Sequence, residues 1–245
     1  MASQVSLRMN FKDSFTYFTD LINSSANFAL ARYGDGEIAL MENEGIPFQT
    51  QAFNQDRWHA PAQATKLGEG LIDSLKHKED NYYYGIPGKN DSEVAYEYLT
   101  SLIPNDNITY ANLFVNANYE QTKDFFKSLK KSITLIANKS GNPDLLPFSV
   151  DVFCSFPDDC VNWWEKEGDE FIEMLQNYVA TTSNETFFLS IGPAAEVAIH
   201  EMYKANPNNQ YIDVGSAIDE WFYGKQTRPY MDSNSNYASH ISSFD

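Results

Sequence analysis

Hydrophobic residues along the chain follow two alternating rhythms. In "FKDSFTYFTDLI" the apolar side chains Phe11, Phe15, Phe18 and Ile22 return every three or four residues, the spacing of one helical face, which predicts a helix over 11–22. The next apolar stretch, "FALAR" at 28–32, has no such period, and a short continuous run of this kind predicts a strand buried on both faces. The exchange then repeats. Further strands are predicted in "NYYYGIPG" (81–88, ending in a turn), "ITYANLFVN" (108–116), "SITLIAN" (132–138), "SVDVFCSF" (149–156), "TFFLSIG" (186–192) and "QYIDVG" (210–215). Helical periodicity marks "APAQATKLGEGLIDSLKH" (60–77, with Pro61 near its first turn), "SEVAYEYLTSLI" (92–103), "YEQTKDFFKSLKK" (119–131), 158–180, "PAAEVAIHEMYKAN" (193–206) and the shorter "SAIDEWF" (216–222). Residues 45–58 read as extended and then loop-like.

Strands alternating with helices predict an α/β, Rossmann-like fold, a mostly parallel sheet with helices on both faces. No repeat or low-complexity linker interrupts the pattern, so 1–245 is expected to be a single domain. It would open with an N-terminal helix within 1–26 and end in a Ser- and Asn-rich tail, 231–245, that is loosely packed or closes over something. Ligands of such sheets bind beyond the carboxyl ends of the strands. The residues there are Gly34 to Glu37, Gly85 to Pro87, Asn116 to Asn118, Asn138, Phe156 and Pro157, Gly192 and Pro193, and Asp213 to Gly215.

Charge narrows the ligand. The 245 residues, 42% hydrophobic and 15% aromatic, can bury a large core, but they carry a net charge of -17. Such a field repels nucleic-acid backbones and anionic membranes, so no nucleic-acid partner is expected. A small anionic ligand would need clustered Arg and Lys or a bound cation. Cys154 and Cys160 lack CxxC spacing and read as thiols of a reducing compartment. With no apolar run long enough to span a membrane and no apolar leader at the N-terminus, a cytoplasmic location is expected. The four histidines show no zinc spacing, and neither a G-x-S-x-G elbow nor a P-loop occurs.

The junction "ARYGDGEIA" concentrates the chemistry and admits three readings. Asp35 can be an N-cap with Glu37 favouring the positive end of a helix, although a capping box on Asp35 would need Glu or Gln where Ile38 stands. Alternatively, Gly34, Gly36 and Ala39 fit G-x-G-x-x-A, with Asp56 about twenty residues on, as in a dinucleotide site. There two acids would repel the pyrophosphate, each by on the order of 3 kcal/mol at an effective dielectric near 20. The third reading reverses that sign by placing a hard divalent cation, Mg²⁺ or Mn²⁺, on Asp35 and Glu37. Acids at i and i+2 share a side only where the chain is extended or turned, since a helix would point them apart by about 200°, and the flanking glycines permit such a turn.

"ARYGDGE", the following "IPFQ", and the later "IGPAAEVA" and "YIDVGSAIDEW" together resemble the GT-D-fold glycosyltransferases, in order, over about 28–230. That family carries a DxE motif binding a metal and a nucleotide-sugar diphosphate. Tyr33 stands here where Phe is expected, and the middle third carries no part of the resemblance. The resemblance implies a hexosyl- or pentosyltransferase of glycan biosynthesis. It would move sugar from a nucleoside diphosphate donor, expected to be UDP-linked, to a hydroxyl of a glycan or glycoconjugate. Asp35 and Glu37 would be its Mn²⁺ or Mg²⁺ ligands.

Other residues can complete such a site. Arg32 and Arg228 can pair phosphate oxygens, Arg228 lying with Lys225 in a small basic island, or can be ion-paired within the protein. Gly34, Gly36, Gly192 and Pro193 lie where backbone N–H groups can meet a phosphate or nucleotide, or simply make strand-to-helix turns. Asp213 can serve as a catalytic carboxylate beside Asp219, bind sugar or nucleotide hydroxyls, or form an Asx turn. Asp219 is a candidate base for an acceptor hydroxyl, or half of a cap with Ser216. Asn116 and Asn118 can hydrogen-bond the donor or form turns, and Trp58, Trp163, Trp164 and Trp221 can stack on it or pack in the core. The competing functions are a non-catalytic nucleotide-sugar binding module and an NAD(P)-dependent oxidoreductase.

Overall fold

Strand β1 (Phe28–Arg32) is buried at every position, and its side chains divide between two cores. Ala29 and Ala31 join one apolar cluster while Phe28 and Leu30 join another, because successive side chains of a strand point to opposite faces. In β2 (Tyr82–Ile86), Tyr82 and Tyr84 face the first cluster and Tyr83 the second. The computed structural model describes residues 9–42 and 65–245. The expected extended segment 45–58, Asp56, Trp58, His59 and Pro61 lie outside them.

Five more strands complete the sheet: β3 (Ile108–Tyr110), β4 (Ile133–Asn138), β5 (Val150–Phe156), β6 (Thr186–Ser190) and β7 (Gln210–Asp213). All seven are parallel, in the order β3-β2-β1-β7-β6-β4-β5. Helices α2 (Asp35–Met41), α3 (Thr65–Ser74), α4 (Glu93–Leu102), α6 (Cys160–Val179) and α7 (Ala194–Ala205) cover the first core. The other face carries α1 (Phe11–Asn23), α5 (Tyr119–Ser128) and the one-turn α8 (Asp219–Phe222). This is the expected single α/β layer structure.

Local chemistry sets the helix starts. Asn10 caps α1 by accepting the Asp13 N–H at 2.9 Å, and Ser92 caps α4 by accepting that of Ala95 at 3.3 Å. From β4 to β5 the chain crosses by a loop with a single 3₁₀ turn, Pro143–Leu145, and β5 is an edge strand with much of its length exposed.

Two expectations change. The strand expected over 108–116 ends at Tyr110; the Ala111 carbonyl accepts from Arg32 at 2.7 Å instead of continuing the ladder, and Asn116 has φ 54°. The tail is not loose. Ser242 is buried, its hydroxyl donating to Asp91 at 2.7 Å and accepting from the Asn112 amide at 2.5 Å, and Phe244 stacks on Tyr110 with ring centroids 4.1 Å apart. His240 pairs with Asp91, and Asn90 receives the Ser243 N–H at 2.8 Å. The tail therefore closes over β3 and the turn after β2. Among the described residues no helix is long and apolar enough to cross a membrane, and both cysteines are free thiols.

Candidate functional site

From β1 the chain winds outward through β2 to β3, whereas β7 closes the other half against the opposite side of β1. A crevice opens at the carboxyl ends where the winding divides, the usual ligand position in such sheets. Here it is a cleft of about 320 Å³, within the size range of small-molecule sites. Among the described residues six acids line it, Asp35, Glu37, Asp158, Glu196, Asp213 and Asp219, against two basic residues, Arg32 and Arg228. The sequence-predicted residues Gly34, Gly36, Gly192 and Pro193 line it as well.

Arg32 closes β1 and is nearly fully buried. Its Nη2 lies 2.9 Å from Asp213 Oδ2, its Nε donates to the Asp213 carbonyl at 2.8 Å, and its Nη1 to the Ala111 carbonyl at 2.7 Å. The guanidinium also sits over the Phe114 ring at 5.6 Å. Arg32 thus ties β1 to β7 and to the end of β3. Of its two readings, the ion pair is the one formed.

Asp213 is consumed by the same arrangement. Its Oδ1 accepts the Gly215 N–H at 2.8 Å while Oδ2 holds Arg32, the Asx-like turn anticipated beside a ligand role. With both oxygens engaged it organises the floor of the cleft. Burial raises its pKa, and Arg32 opposes that rise. Gly215 has φ +48°, and a Cβ there would lie 2.4 Å from Arg32 Nη2, so glycine is required for the pair to fit.

The acidic junction departs from expectation. Helix α2 begins at Asp35, so Gly34 is the N-cap and Glu37 the third helical residue. Glu37 Oε2 accepts the Gly34 N–H at 2.7 Å, the reach-back half of a capping box. That bond fills the N–H a pyrophosphate would need in the dinucleotide reading. Asp35 is exposed at the mouth, its Oδ1 accepting the Gly36 N–H at 3.0 Å. Both acids lie in one helical turn, not an extended turn, yet both face the cleft. Burial, with Asp35 and Asp213 nearby, pushes the Glu37 pKa up to about 7, and burial raises that of Asp35.

Glu196 is the residue sequence reasoning missed. It stands in the first turn of α7 as the one acid in "PAAEVAIH", a run otherwise apolar up to His200, and a charge inside an apolar helical run is the signal that marks it. It is only 1% exposed, and burial, followed by the charges of Asp213 and Glu37, raises its pKa well above the usual carboxyl value.

Asp219 is buried in the cleft wall and its Oδ2 accepts the Thr227 hydroxyl at 2.6 Å. Ser216 does not cap it: the Ser216 hydroxyl bonds the Tyr230 hydroxyl at 2.9 Å. Arg228 is half-buried in the wall and its Nη1 donates to the Thr227 carbonyl at 3.2 Å, while Lys225 is exposed and does not line the cleft. Gly192 takes φ +59° to turn from β6 into α7. Asn116 and Asn118 lie apart from the cleft; Asn118 is buried, donating to the Leu113 carbonyl at 2.9 Å. Trp163, Trp164 and Trp221 pack against core aromatics, Trp163 meeting Phe156 and Trp221 meeting Phe126. Among the described residues no group of three or more acids, histidines or cysteines is placed to hold a metal ion.

No protein-family model and no curated protein matches the chain. Solved structures do. One of the domain of unknown function 1792, described as having a distinct glycosyltransferase fold, is 18% identical with a TM-score of 0.54, covering 90% of this chain and 83% of its own. A new glycosyltransferase of the same domain type from Streptococcus sanguinis is 14% identical with a TM-score of 0.60, covering 97% of this chain and 91% of its own. The fold-level resemblance anticipated from "RYGDGE" and the later motifs therefore holds, and the chain carries the fold of the domain-of-unknown-function-1792 structures.

Proposed function

We propose that the protein is a metal-dependent glycosyltransferase, taking sugar from a nucleoside diphosphate donor, UDP-linked by preference, to a glycan or glycoconjugate hydroxyl. The observation carrying this reading is the imbalance at the switch-point cleft, where the described residues set six acids against two arginines. Within a glycosyltransferase-like fold, such a cleft accepts a diphosphate only with a cation present.

Asp35 and Glu37 suit Mn²⁺ or Mg²⁺ by donor chemistry. Both offer hard carboxylate oxygens to the cleft, and the hydrogen bonds that hold them use Oδ1 of Asp35 and Oε2 of Glu37. Two carboxylates with phosphate oxygens and water are an ordinary Mg²⁺ set, consistent with the lack of a larger ligand cluster among the described residues. Asp35 and Glu37 would hold the cation, which would supply Lewis acidity against the negative charge of the diphosphate leaving group.

The remaining tasks fall to the chain's own residues. Arg228 lies in the wall where it can pair a phosphate oxygen. Gly192 and Pro193 open α7 toward the cleft and allow a nucleotide close to the backbone. Asp219, oriented by Thr227, is the base candidate for the acceptor hydroxyl.

Calorimetric titration of UDP-glucose, UDP-galactose and UDP, each with Mn²⁺ or with chelator, tests the reading. Binding is expected with Mn²⁺ and lost in chelator and in Asp35→Asn, a mouth residue whose replacement leaves the fold intact. Equal binding in chelator would sink the proposal. Slow donor hydrolysis by the wild type, absent in Asp219→Asn, separates an enzyme from a binding module.

A further inference from the structure

We propose that Glu196 reads a hydroxyl group of the bound ligand, its Oε2 accepting a hydrogen bond from it. This rests on the sugar-nucleotide reading of the cleft. Glu196 lines the cleft yet is 1% exposed, and its Oε2 has no hydrogen-bond partner. A buried polar atom without a partner destabilises the fold, and each such atom in a native protein calls for an explanation.

Glu196 lies beside Asp213, which Arg32 at 2.9 Å and the Gly215 N–H at 2.8 Å fix in place. Around it in α7, Ala194, Ala195, Val197 and Ala198 are buried apolar residues that offer no partner. The partner must therefore come from the cleft. In the proposed reading the diphosphate is held by the cation at Asp35 and Glu37, which leaves the hydroxyls of the ligand for Glu196. A hydroxyl fits, since a carboxyl oxygen accepts from it whether or not the group carries charge. In a sugar nucleotide that hydroxyl belongs to the ribose or to the transferred sugar.

Titration of UDP and of UDP-glucose, both with Mn²⁺, into the wild type, Glu196→Gln, Glu196→Met and Glu196→Leu tests the assignment, with thermal unfolding to establish folding. Gln keeps an accepting oxygen and is expected to bind within about twofold of wild type. Met and Leu remove it and are expected to weaken binding about tenfold, the scale of one lost hydrogen bond, while melting no lower than wild type, because they also remove the partnerless atom. Weakening toward both probes assigns the hydroxyl to the ribose; weakening toward UDP-glucose alone assigns it to the sugar. Wild-type affinity in both Met and Leu overturns the proposal. So does a Gln variant as weak as Met, which would mean that charge is needed. Failure of the wild type itself to bind either probe overturns the sugar-nucleotide reading instead, and the Glu196 assignment with it.

Discussion

At the scale of single residues, the cleft floor depends on a fit between a glycine and an arginine. Gly215→Ala places a methyl at 2.4 Å from Arg32 Nη2 in a backbone with φ +48°. The expected result is a displaced guanidinium and a buried Asp213 without its countercharge, at a loss of about 3 kcal/mol or more, measured by denaturant unfolding. An unchanged midpoint would refute the tight packing of the pair. This coupling explains what could be read in advance at the site and what could not. Asp35, Glu37, Arg32, Asp213 and Asp219 were legible because each ends or follows a strand that the hydrophobic pattern reveals. That Arg32 would pair with Asp213, 181 positions away, depends on β1 lying beside β7, which no local spacing encodes. The N-cap was misplaced for a smaller reason: the helix starts at Asp35 and not after it, a shift of one residue that moves the cap from Asp35 to Gly34.

At the scale of elements, most strands and helices were legible because apolar periodicity is a direct record of burial. The failures fall where tertiary contact overrides it: β3 is cut short as Arg32 takes the Ala111 carbonyl, and "SAIDEWF" splits into a 3₁₀ turn, Gly215–Ile218, and α8. Helix α7 shows how an element buried almost throughout handles a polar side chain. His200 is 5% exposed and packs edge-on against His77 with ring centroids 5.3 Å apart. Burial lowers its pKa from 6.5 to about 4, against the opposing charge of Glu201 and with help from Lys204 and His77. A group with a depressed histidine pKa is neutral in the fold while the unfolded chain takes up its proton. Stability is therefore full above about pH 6.5 and falls as the pH drops toward about 4, by at most on the order of 3 kcal/mol. Chemical denaturation from pH 7 to pH 4 should show a shallower decline in His200→Gln than in the wild type. Equal slopes would remove His200 as the source.

At the scale of the whole molecule, the tail and the cleft occupy different parts of the same sheet edge, and they can be separated experimentally. Residues 236–245 turn through the 3₁₀ segment Asn236–Ser239 and then lie over β3, with Ser242 on Asp91, the Ser243 N–H on Asn90 and Phe244 stacked on Tyr110. None of them lines the cleft, whose wall ends in sequence at Arg228. Composition identified the tail as Ser- and Asn-rich and left open whether it packs, because its anchors are side-chain hydrogen bonds and one aromatic pair, which leave no periodic trace. Removing 236–245 strips one stacked ring pair and several hydrogen bonds, together about 2 kcal/mol, and for a chain of this size lowers the melting temperature by about 4–8 °C. Binding of UDP with Mn²⁺, measured well below that temperature, should be unchanged, since the acids and arginines of the cleft keep their positions. Loss of binding in the folded truncated protein would make the tail part of the site. An unchanged melting temperature would instead show that its contacts contribute nothing to the fold.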